Sequence, residues 1–278
     1  MGIRINTNTG SLNSQRYLAR ATARVSRSME RLSSGLRINR AADDAAGLAI
    51  SEGLKSDIKS LDVVTRNAAD GISVVQTADG AMDEISNILV RMRELAMQSA
   101  TGTVTTKQRG HLDSEFQALI DEITRIGNST EFNGIKLLDG SAGVMSLHVG
   151  IGNSASSSID LDLGTSFTGG GLTLTTINIA TISSPSAQPV MPVLDDALQS
   201  INQGRAKLGA MQNRLESTIR VNLNYQENLA AANSRIRDVD VALEASELTS
   251  AQILQQVAVS MLAQANTAPN IALRLLGI

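Results

Sequence analysis

The chain has 278 residues and no cysteine, which excludes disulfide bonds, thiolate catalysis and thiolate metal sites. Two Tyr, three Phe and no Trp are few aromatic residues for a compact globular core, because large rings usually supply much of the buried area. The net charge is only −3, so composition alone favours neither a polyanion nor a polycation as partner. The aliphatic content instead suits the packed faces of long helices.

The charge is unevenly distributed along the chain. Residues 1–40 carry eight Arg and one acid, Glu30, a sum of +7, whereas the remaining residues sum to −10. A basic segment could bind nucleic acid, but this one lacks Lys clusters and stacking aromatics and carries an apolar stripe. These features favour a helix that pairs with an acidic partner, and we expect no nucleic acid binding.

The first two predicted helices show coiled-coil spacing. In the first, steps of four and three connect Leu18, Thr22, Val25, Met29, Leu32 and Leu36. In the second, apolar residues recur every seven positions at Leu54, Leu61, Ala68, Val75, Met82, Leu89 and Ala96. Asp43-Asp44 is expected to cap this helix. A helix over residues 54–98 would be about 68 Å long, so its stripe needs partner helices from the same chain or from neighbours.

A third helix and a short β region follow. Thr105 or Thr106 is the expected helix cap, and Gly127-Asn128 and then Asn133-Gly134 mark its end. Its stripe holds Leu112, Phe116, Leu119, Ile123 and Ile126. Alternation with period two then predicts short strands around residues 135–137, 145–149 and 159–163. Residues 164–192 are rich in Gly, Ser, Thr and Pro, which predicts an exposed loop or weak hairpin.

The C-terminal part is predicted to be helical again. Pro192 suits a first helical turn. One heptad phase holds Leu194, Ile201, Leu208, Leu215, Leu229, Ile236 and Leu243, with Asn222 as a polar interruption, and Leu254, Val257 and Met261 resume the four-three spacing. The expected fold is therefore mainly α, with long coiled-coil helices that form a rod and a small β-hairpin region.

Residues that could carry chemistry are sparse. His111 and His148 have no ligand-like neighbour at helical spacing, and no P-loop, dinucleotide fingerprint or nucleophile elbow occurs. We expect no catalytic, cofactor or metal site and no enzyme activity. No apolar run of about 18 residues is present, and residues 1–10 lack the apolar segment of a signal peptide. We therefore expect neither a membrane span nor a cleavable signal.

Several separate motifs resemble bacterial flagellins. Near the amino terminus they are residues 31–54 (RLSSGLRINRAADDAAGLAISEGL), 66–73 (RNAADGIS), 93–96 (RELA) and 132–134 (FNG). Near the carboxy terminus they are residues 251–256 (AQILQQ) and 262–266 (LAQAN). The resemblance covers roughly residues 1–150 and 194–278. It departs from the family pattern at Arg40, where a small residue is usual, and in the near absence of an outer variable domain.

The resemblance implies an architecture and a function. Residues 1–43 and 236–278 would pair as a terminal coiled coil in an inner tube. Residues 44–163 and 192–235 would form a helical rod with β-hairpins, and 164–191 would be an exposed loop in place of the outer domain. The chain would self-assemble into the flagellar filament for swimming motility. Its partners would be copies of itself, the export apparatus and an export chaperone, the filament cap and the hook-junction proteins, and its location would be extracellular after secretion.

Long apolar stripes without sufficient internal partners favour heterologous contacts, which propagate into open helical assemblies. The expected assembly seam therefore comprises Leu18, Val25, Leu32, Leu54, Leu61, Leu89, Leu208, Leu215, Leu229, Leu254, Val257 and Met261. Two alternatives remain. One is a hook-associated junction protein of related architecture, and the other is a coiled-coil interaction or signalling rod, against which the β region and the missing membrane anchor argue.

The resemblance also implies recognition by a host. Residues 89–99 (LVRMRELAMQS) are similar to the flagellin segment bound by the flagellin-sensing Toll-like receptor. The matching contact positions are Arg91, Leu95 and Glu115. Arg91 and Leu95 are four residues apart and are expected to share a helix face, although Arg91 could instead only pair with an acidic neighbour.

Overall fold

The structure, a computed structural model, describes residues 7–180 and 190–275. Its helices are α1 (Thr9–Ser34), α2 (Ala45–Ala100), α3 (Thr106–Ser129), α4 (Val190–Arg237) and α5 (Val241–Leu275). Its strands are β1 (Glu131–Phe132), β2 (Ile135–Lys136), β3 (Val144–His148) and β4 (Ser158–Asp162). The mainly α fold with a small β region is confirmed.

Two predicted helix starts are confirmed by their hydrogen bonds. The Asp44 Oδ1 atom accepts from the Gly47 N–H at 2.8 Å at the start of α2. Thr105 caps α3 in a reciprocal capping box with Gln108, which satisfies two backbone N–H groups that the helix cannot pair. The end of α3 differs from the prediction, because the helix continues through Gly127 and ends at Ser129.

The strands form two antiparallel hairpins. β1 pairs with β2 through the turn Asn133-Gly134, whose φ angles of 50° and 79° lie in the left-handed region that Asn and Gly tolerate. β3 pairs with β4 from Val144 opposite Asp162 to His148 opposite Ser158. In β4 the inner face carries Ile159 and Leu161, both buried, so the alternation with period two is confirmed there.

The chain divides into two compact units. Unit 1 comprises Met1–Ser56 and Asn228–Ile278, and unit 2 comprises residues 57–227. The boundaries between the units fall inside the continuous helices α2 and α4, whereas the sequence predicted domain boundaries between residues 43 and 44 and between residues 235 and 236. The apolar repeat of a helix continues across such a boundary, so the sequence pattern does not mark it.

Unit 2 has one large apolar core. It joins α2, α3, the β3–β4 hairpin and α4 through fully buried side chains, among them Phe116, Leu89, Leu161 and Leu215. Gly71 on α2 belongs to the same packing, because a Cβ atom there would meet the side chains of Leu147 and Leu215. A larger residue at position 71 would therefore force the end of the Leu147 side chain to move.

The prediction that residues 164–191 form an exposed loop is wrong for the part that the structure describes. Its apolar side chains are buried in the core of unit 2, at Phe167, Leu172, Leu174, Ile177 and Ile179. Polar side chains of the neighbouring helices satisfy its backbone: Gln117 donates to the Ile177 carbonyl, the Ile179 N–H donates to Asp113, and Ser99 donates to the Ile179 carbonyl. Residues 181–189, with Pro185 and Pro189, lie outside the described residues.

Candidate assembly surface

The two terminal helices of unit 1 form an antiparallel pair. Hydrogen bonds join Asn8 to the Ala265 carbonyl, Gln255 to Thr22 and Arg31 to Glu244, so residue numbers rise on α1 as they fall on α5. Apart from Glu244, the buried residues of the pair are small: Ser11, Ala21 and Ser28 on α1 and Ala251 and Ala258 on α5. Small side chains allow two helix axes to approach closely.

This packing corrects the predicted stripe on α1. Leu18, Val25 and Leu32 are half-buried, as a contact face requires, but Thr22 and Met29 are exposed. Ala21 and Ser28 take the buried positions between the three larger residues. The physical reason is that α1 turns its small residues toward α5. A sequence signal existed, because Ser14, Ala21 and Ser28 are seven apart, as are Glu244, Ala251 and Ala258.

The apolar positions predicted on α5 lie outside the helix pair. Leu254, Val257 and Met261 are 51%, 52% and 57% exposed. Together with Tyr17 and Ala258 they line a groove of about 460 Å³, which Arg20 and Arg24 border. Leu243, expected in the α4 heptad phase, is also exposed because the helix breaks after Arg237 and restarts at Val241. The pair thus leaves a row of large apolar side chains uncovered.

A group of polar contacts lies where α1 ends and α5 begins. Glu244, which is buried, forms an ion pair with Arg31 at 3.4 Å. Beyond it, Leu36 and Asp238 form an isolated antiparallel bridge, and the Arg37 guanidinium donates to the Ile236 carbonyl at 2.6 Å. A buried charge is costly unless it is paired, so a shift of α1 along α5 that separated Arg31 from Glu244 would be disfavoured. No sequence pattern predicted this pair.

The remaining seam residues lie on α2 and α4. Leu61, Leu89, Leu208 and Leu215 are buried in unit 2, whereas Leu54 and Leu229 are half-buried in unit 1. The polar interruption, Asn222, is buried, and its amide donates to the Val149 carbonyl at 3.0 Å. A buried amide with a satisfied partner specifies one alignment of α4 against the hairpin, because any shift would leave it unpaired.

The candidate receptor residues are only partly brought together. The Arg91 guanidinium bonds Glu115 at 2.9 Å and Glu94 at 2.9 Å, and these two exposed carboxylates, Glu115 foremost, raise the pKa of Arg91. Leu95 is fully buried in the core of unit 2. The interpretation of Leu95 as a contact residue is therefore wrong, because it faces inward while Arg91 faces solvent. Leu95 can act on a partner only by supporting the helix that carries Arg91.

Two negative findings apply to the described residues. No group of three His, Asp or Glu residues in this part of the chain could hold a metal ion. None of the helices within these ranges is long and apolar enough to cross a membrane.

A long helical core with paired terminal helices and an uncovered apolar row defines a structural subunit of an assembly. Comparisons with known proteins identify its family. Residues 5–143 match the bacterial flagellin N-terminal helical region, and residues 191–276 match the bacterial flagellin C-terminal helical region. The chain belongs to the bacterial flagellin family, and it is a structural subunit that self-assembles into the flagellar filament for motility.

Individual relatives agree with this assignment. A flagellin from Halalkalibacterium halodurans is 46% identical over 98% of this chain and 99% of its own. Polar flagellin F from Vibrio parahaemolyticus is 36% identical over the full length of both chains, in an alignment of 379 positions. Since this chain has 278 residues, the Vibrio protein contains additional internal residues, and this chain is a short flagellin without an outer variable domain.

One solved structure shows the same fold. A flagellar hook-associated protein from Vibrio parahaemolyticus superposes with a TM-score of 0.60, covering 70% of this chain and 100% of its own, at 16% identity. At this identity the likeness shows the fold alone. It does not favour the hook-associated alternative, because the relatives with high identity are flagellins.

Proposed function

We propose that the α1–α5 pair is the polymerising element of this flagellin and forms the inner tube of the filament. The observation that carries the proposal is the exposed apolar row on α5, formed by Leu254, Val257 and Met261 and more than half exposed throughout. Fully burying one such side chain contributes about 1.5–3 kcal/mol. Repeated between every pair of neighbouring copies, even half of this contribution stabilises a long assembly.

The role is structural, and we propose no catalytic activity for the chain. A second property follows from the small buried residues of the pair. In the described parts of the terminal segments the buried residues are mostly small, so we expect residues 1–43 and 236–278 to become fully ordered only on polymerisation. Hydrogen exchange tests this, with slow exchange in the filament and fast exchange in the monomer as the expected result. Equally strong protection in the monomer would contradict it.

The decisive experiment removes the apolar row without touching the fold. The triple variant Leu254→Ser, Val257→Ser and Met261→Ser should keep the helix content of the parent, measured by circular dichroism, because these side chains are exposed. Seeded polymerisation, followed by light scattering and electron microscopy, should be lost. The matched control carries Gln252→Ser and Gln256→Ser, which are exposed polar positions on the same helix, and it should polymerise like the parent.

Normal filaments from the triple variant would overturn the proposal that this row is an assembly seam. Loss of filaments in the control as well would show that any change on α5 is disruptive, which also removes support for the row.

The remaining partners follow from the family. We propose that the chain is secreted unfolded through the flagellar export apparatus, accompanied by a cytoplasmic chaperone, and that it meets the filament cap and the hook-junction proteins outside the cell. Deleting the export apparatus should abolish extracellular flagellin while leaving its intracellular synthesis intact. Extracellular protein at the parental level would contradict this route.

We also propose that the monomer is recognised by the flagellin-sensing Toll-like receptor through Arg91 and Glu115. Both side chains are exposed and share a charged network with Glu94. In a reporter assay, Arg91→Ala and Glu115→Ala should signal more weakly than the parent monomer, while Arg125→Ala on α3, also exposed, should not. A silent parent, or full signalling by both variants, would refute the assignment.

A further inference from the structure

Helix α1 carries a stripe of arginines that its partner helix does not neutralise. Arg16, Arg20, Arg24, Arg27 and Arg31 follow at steps of four, four, three and four, which places all five on one face of the helix. Like charges at this spacing repel one another. A stripe of this length therefore needs acidic groups close by.

Helix α5 cannot supply them along most of its length. The sequence has no Asp or Glu after Glu247. Among residues 7–180 and 190–267, whose side chains the structure describes, Arg31 pairs with Glu244, but no carboxylate lies within ion-pair distance of Arg16, Arg20 or Arg24. The latter two border the apolar groove described above. The unpaired end of the stripe thus combines positive charge with exposed apolar surface.

The acids of unit 1 are nearly all engaged. Glu30 pairs with Arg40, Glu52 with Arg237 and Glu244 with Arg31. Asp43 and Asp44 accept from backbone N–H groups. Glu247 lies in a groove that Arg24, Arg27 and Arg31 of its own copy line, so Arg16 and Arg20 are the arginines of the stripe farthest from an acid of their own copy. What remains is Asp238, just before α5, and beside it lies Asp240, which accepts from backbone N–H groups at the start of that helix.

These two acids form the acidic turn, residues 238–243, which has the complementary character. Both carboxylates are exposed, and Asp240 also accepts from the N–H groups of Ala242 and Leu243. The turn exposes two apolar side chains as well, Val241 at 62% and Leu243 at 61%. It therefore offers negative charge and apolar surface together, as the arginine stripe offers positive charge and apolar surface.

One copy cannot bring the two surfaces together. Asp238 bridges Leu36 within its own chain, and Arg20 precedes Leu36 by 16 residues, which is about 24 Å along a helix. We propose that the acidic turn of one copy binds Arg16, Arg20 and Arg24 of a second copy, displaced by about 24 Å along the helix pair. The contact is heterologous, so it repeats from copy to copy and leads to an open assembly.

This inference rests on the proposed function, since it names which surfaces of two copies meet. Site-specific cross-linking tests it without unfolding the chain, because the native sequence has no cysteine. One copy carries Arg20→Cys and the other Asp238→Cys, and the two are mixed, polymerised and treated with a flexible bifunctional maleimide. The long Arg side chain holds the two Cα atoms of an Arg–Asp ion pair farther apart than the about 7 Å that a disulfide tolerates, so the cross-linker must span the gap. A covalent dimer on a denaturing gel is the expected result.

The matched control replaces Arg20→Cys with Gln15→Cys. Gln15 is exposed and lies five residues earlier, about 140° around the helix. It should give little dimer with Asp238→Cys. Equal yields from both pairs, or none from Arg20→Cys with Asp238→Cys in filaments that form normally, would overturn the proposed contact while leaving the apolar row as a seam.

Charge reversal gives an independent readout. Arg20→Glu should raise the concentration needed for polymerisation about fivefold, which corresponds to the upper range for an exposed ion pair. The chain with both Arg20→Glu and Asp238→Arg should recover most of that loss. Failure of the double variant to recover would show that the stripe meets another acidic surface, and it would overturn this assignment. The triple serine variant, by contrast, tests only the proposed function, so the two proposals can fail separately.

Discussion

Unit 1 and unit 2 are both built from long helices, but they bury different residues. Unit 2 encloses Phe, Leu, Ile and Met side chains in one continuous core. Unit 1 buries mainly Ala and Ser and leaves Leu254, Val257 and Met261 exposed. Large buried side chains supply most of the free energy of folding. Unit 2 therefore has the means to be stable within one copy, while unit 1 leaves large apolar side chains exposed, which we propose to be covered by neighbouring copies.

The largest expected effect comes from a charge placed in the unit 2 core. Leu215 is fully buried, and loss of its packing alone costs about 2–5 kcal/mol. Leu215→Asp adds an unpaired buried charge, so we expect the core to unfold and assembly to fail. Urea denaturation followed by circular dichroism measures this. Asn213→Asp, exposed on the same helix, should stay within about 0.5 kcal/mol of the parent.

Sequence periodicity predicted unit 2 better than unit 1. In unit 2 the seven-residue repeat from Leu61 to Ala96 consists of residues that are all buried, because large apolar side chains dominate both the pattern and the packing. In unit 1 the same rule selected Met29 and Leu254, which are exposed. There the large residues lie outside the contact between the two helices, which uses Ala and Ser, whose small apolar area gives a weak periodic signal.

Composition misled the interpretation of residues 164–180. Gly, Ser and Thr between the apolar residues indicate a loop, and the segment has no helix or strand within its described part. Its backbone is nevertheless held by Ser99, Asp113 and Gln117, which are 60 to 80 residues from their partners in sequence. Contacts of this range depend on the completed fold, so single-residue preferences cannot reveal them. The same reason hid the Arg31–Glu244 pair.

The second prediction concerns this segment as part of the unit 2 core. Leu174 is fully buried, so Leu174→Ala should lower the free energy of unfolding by about 2–5 kcal/mol. Urea denaturation again provides the measurement. The neighbouring Thr175→Ala, at an exposed position, is the matched control and should change little. If both variants changed the free energy of unfolding by the same small amount, residues 164–180 would behave as an exposed loop and not as part of the core.

A smaller effect is expected from enlarging the interface of unit 1. Ala258 is buried against α1, and overpacking typically costs about 1–3 kcal/mol. In filaments, where we expect α1 to be protected, Ala258→Leu should therefore speed hydrogen exchange in residues 18–28 of α1, without changing exchange in α3. The control is Ala263→Leu, exposed on the same helix. Slower exchange in the Ala258→Leu variant would mean that the pair gains from a large residue and that close approach is not its basis.

The smallest expected effect is a pH dependence in unit 1. In unit 1, Asp43 accepts from the N–H groups of Arg40 and Asn39, and these bonds, Arg40 foremost, lower its pKa below the ordinary value of 3.8. Because the folded pKa is the lower one, the ionised carboxylate stabilises the loop before α2 fully above pH 3.8. That contribution is lost as the pH falls through the lowered value.

The amide resonances of Asn39 and Arg40, followed by nuclear magnetic resonance, should therefore shift only below pH 3.8. Asp43→Asn keeps an acceptor oxygen but cannot ionise, so its resonances should show no such transition. A transition at or above pH 3.8 in the parent would show that the two N–H groups do not favour the ionised form.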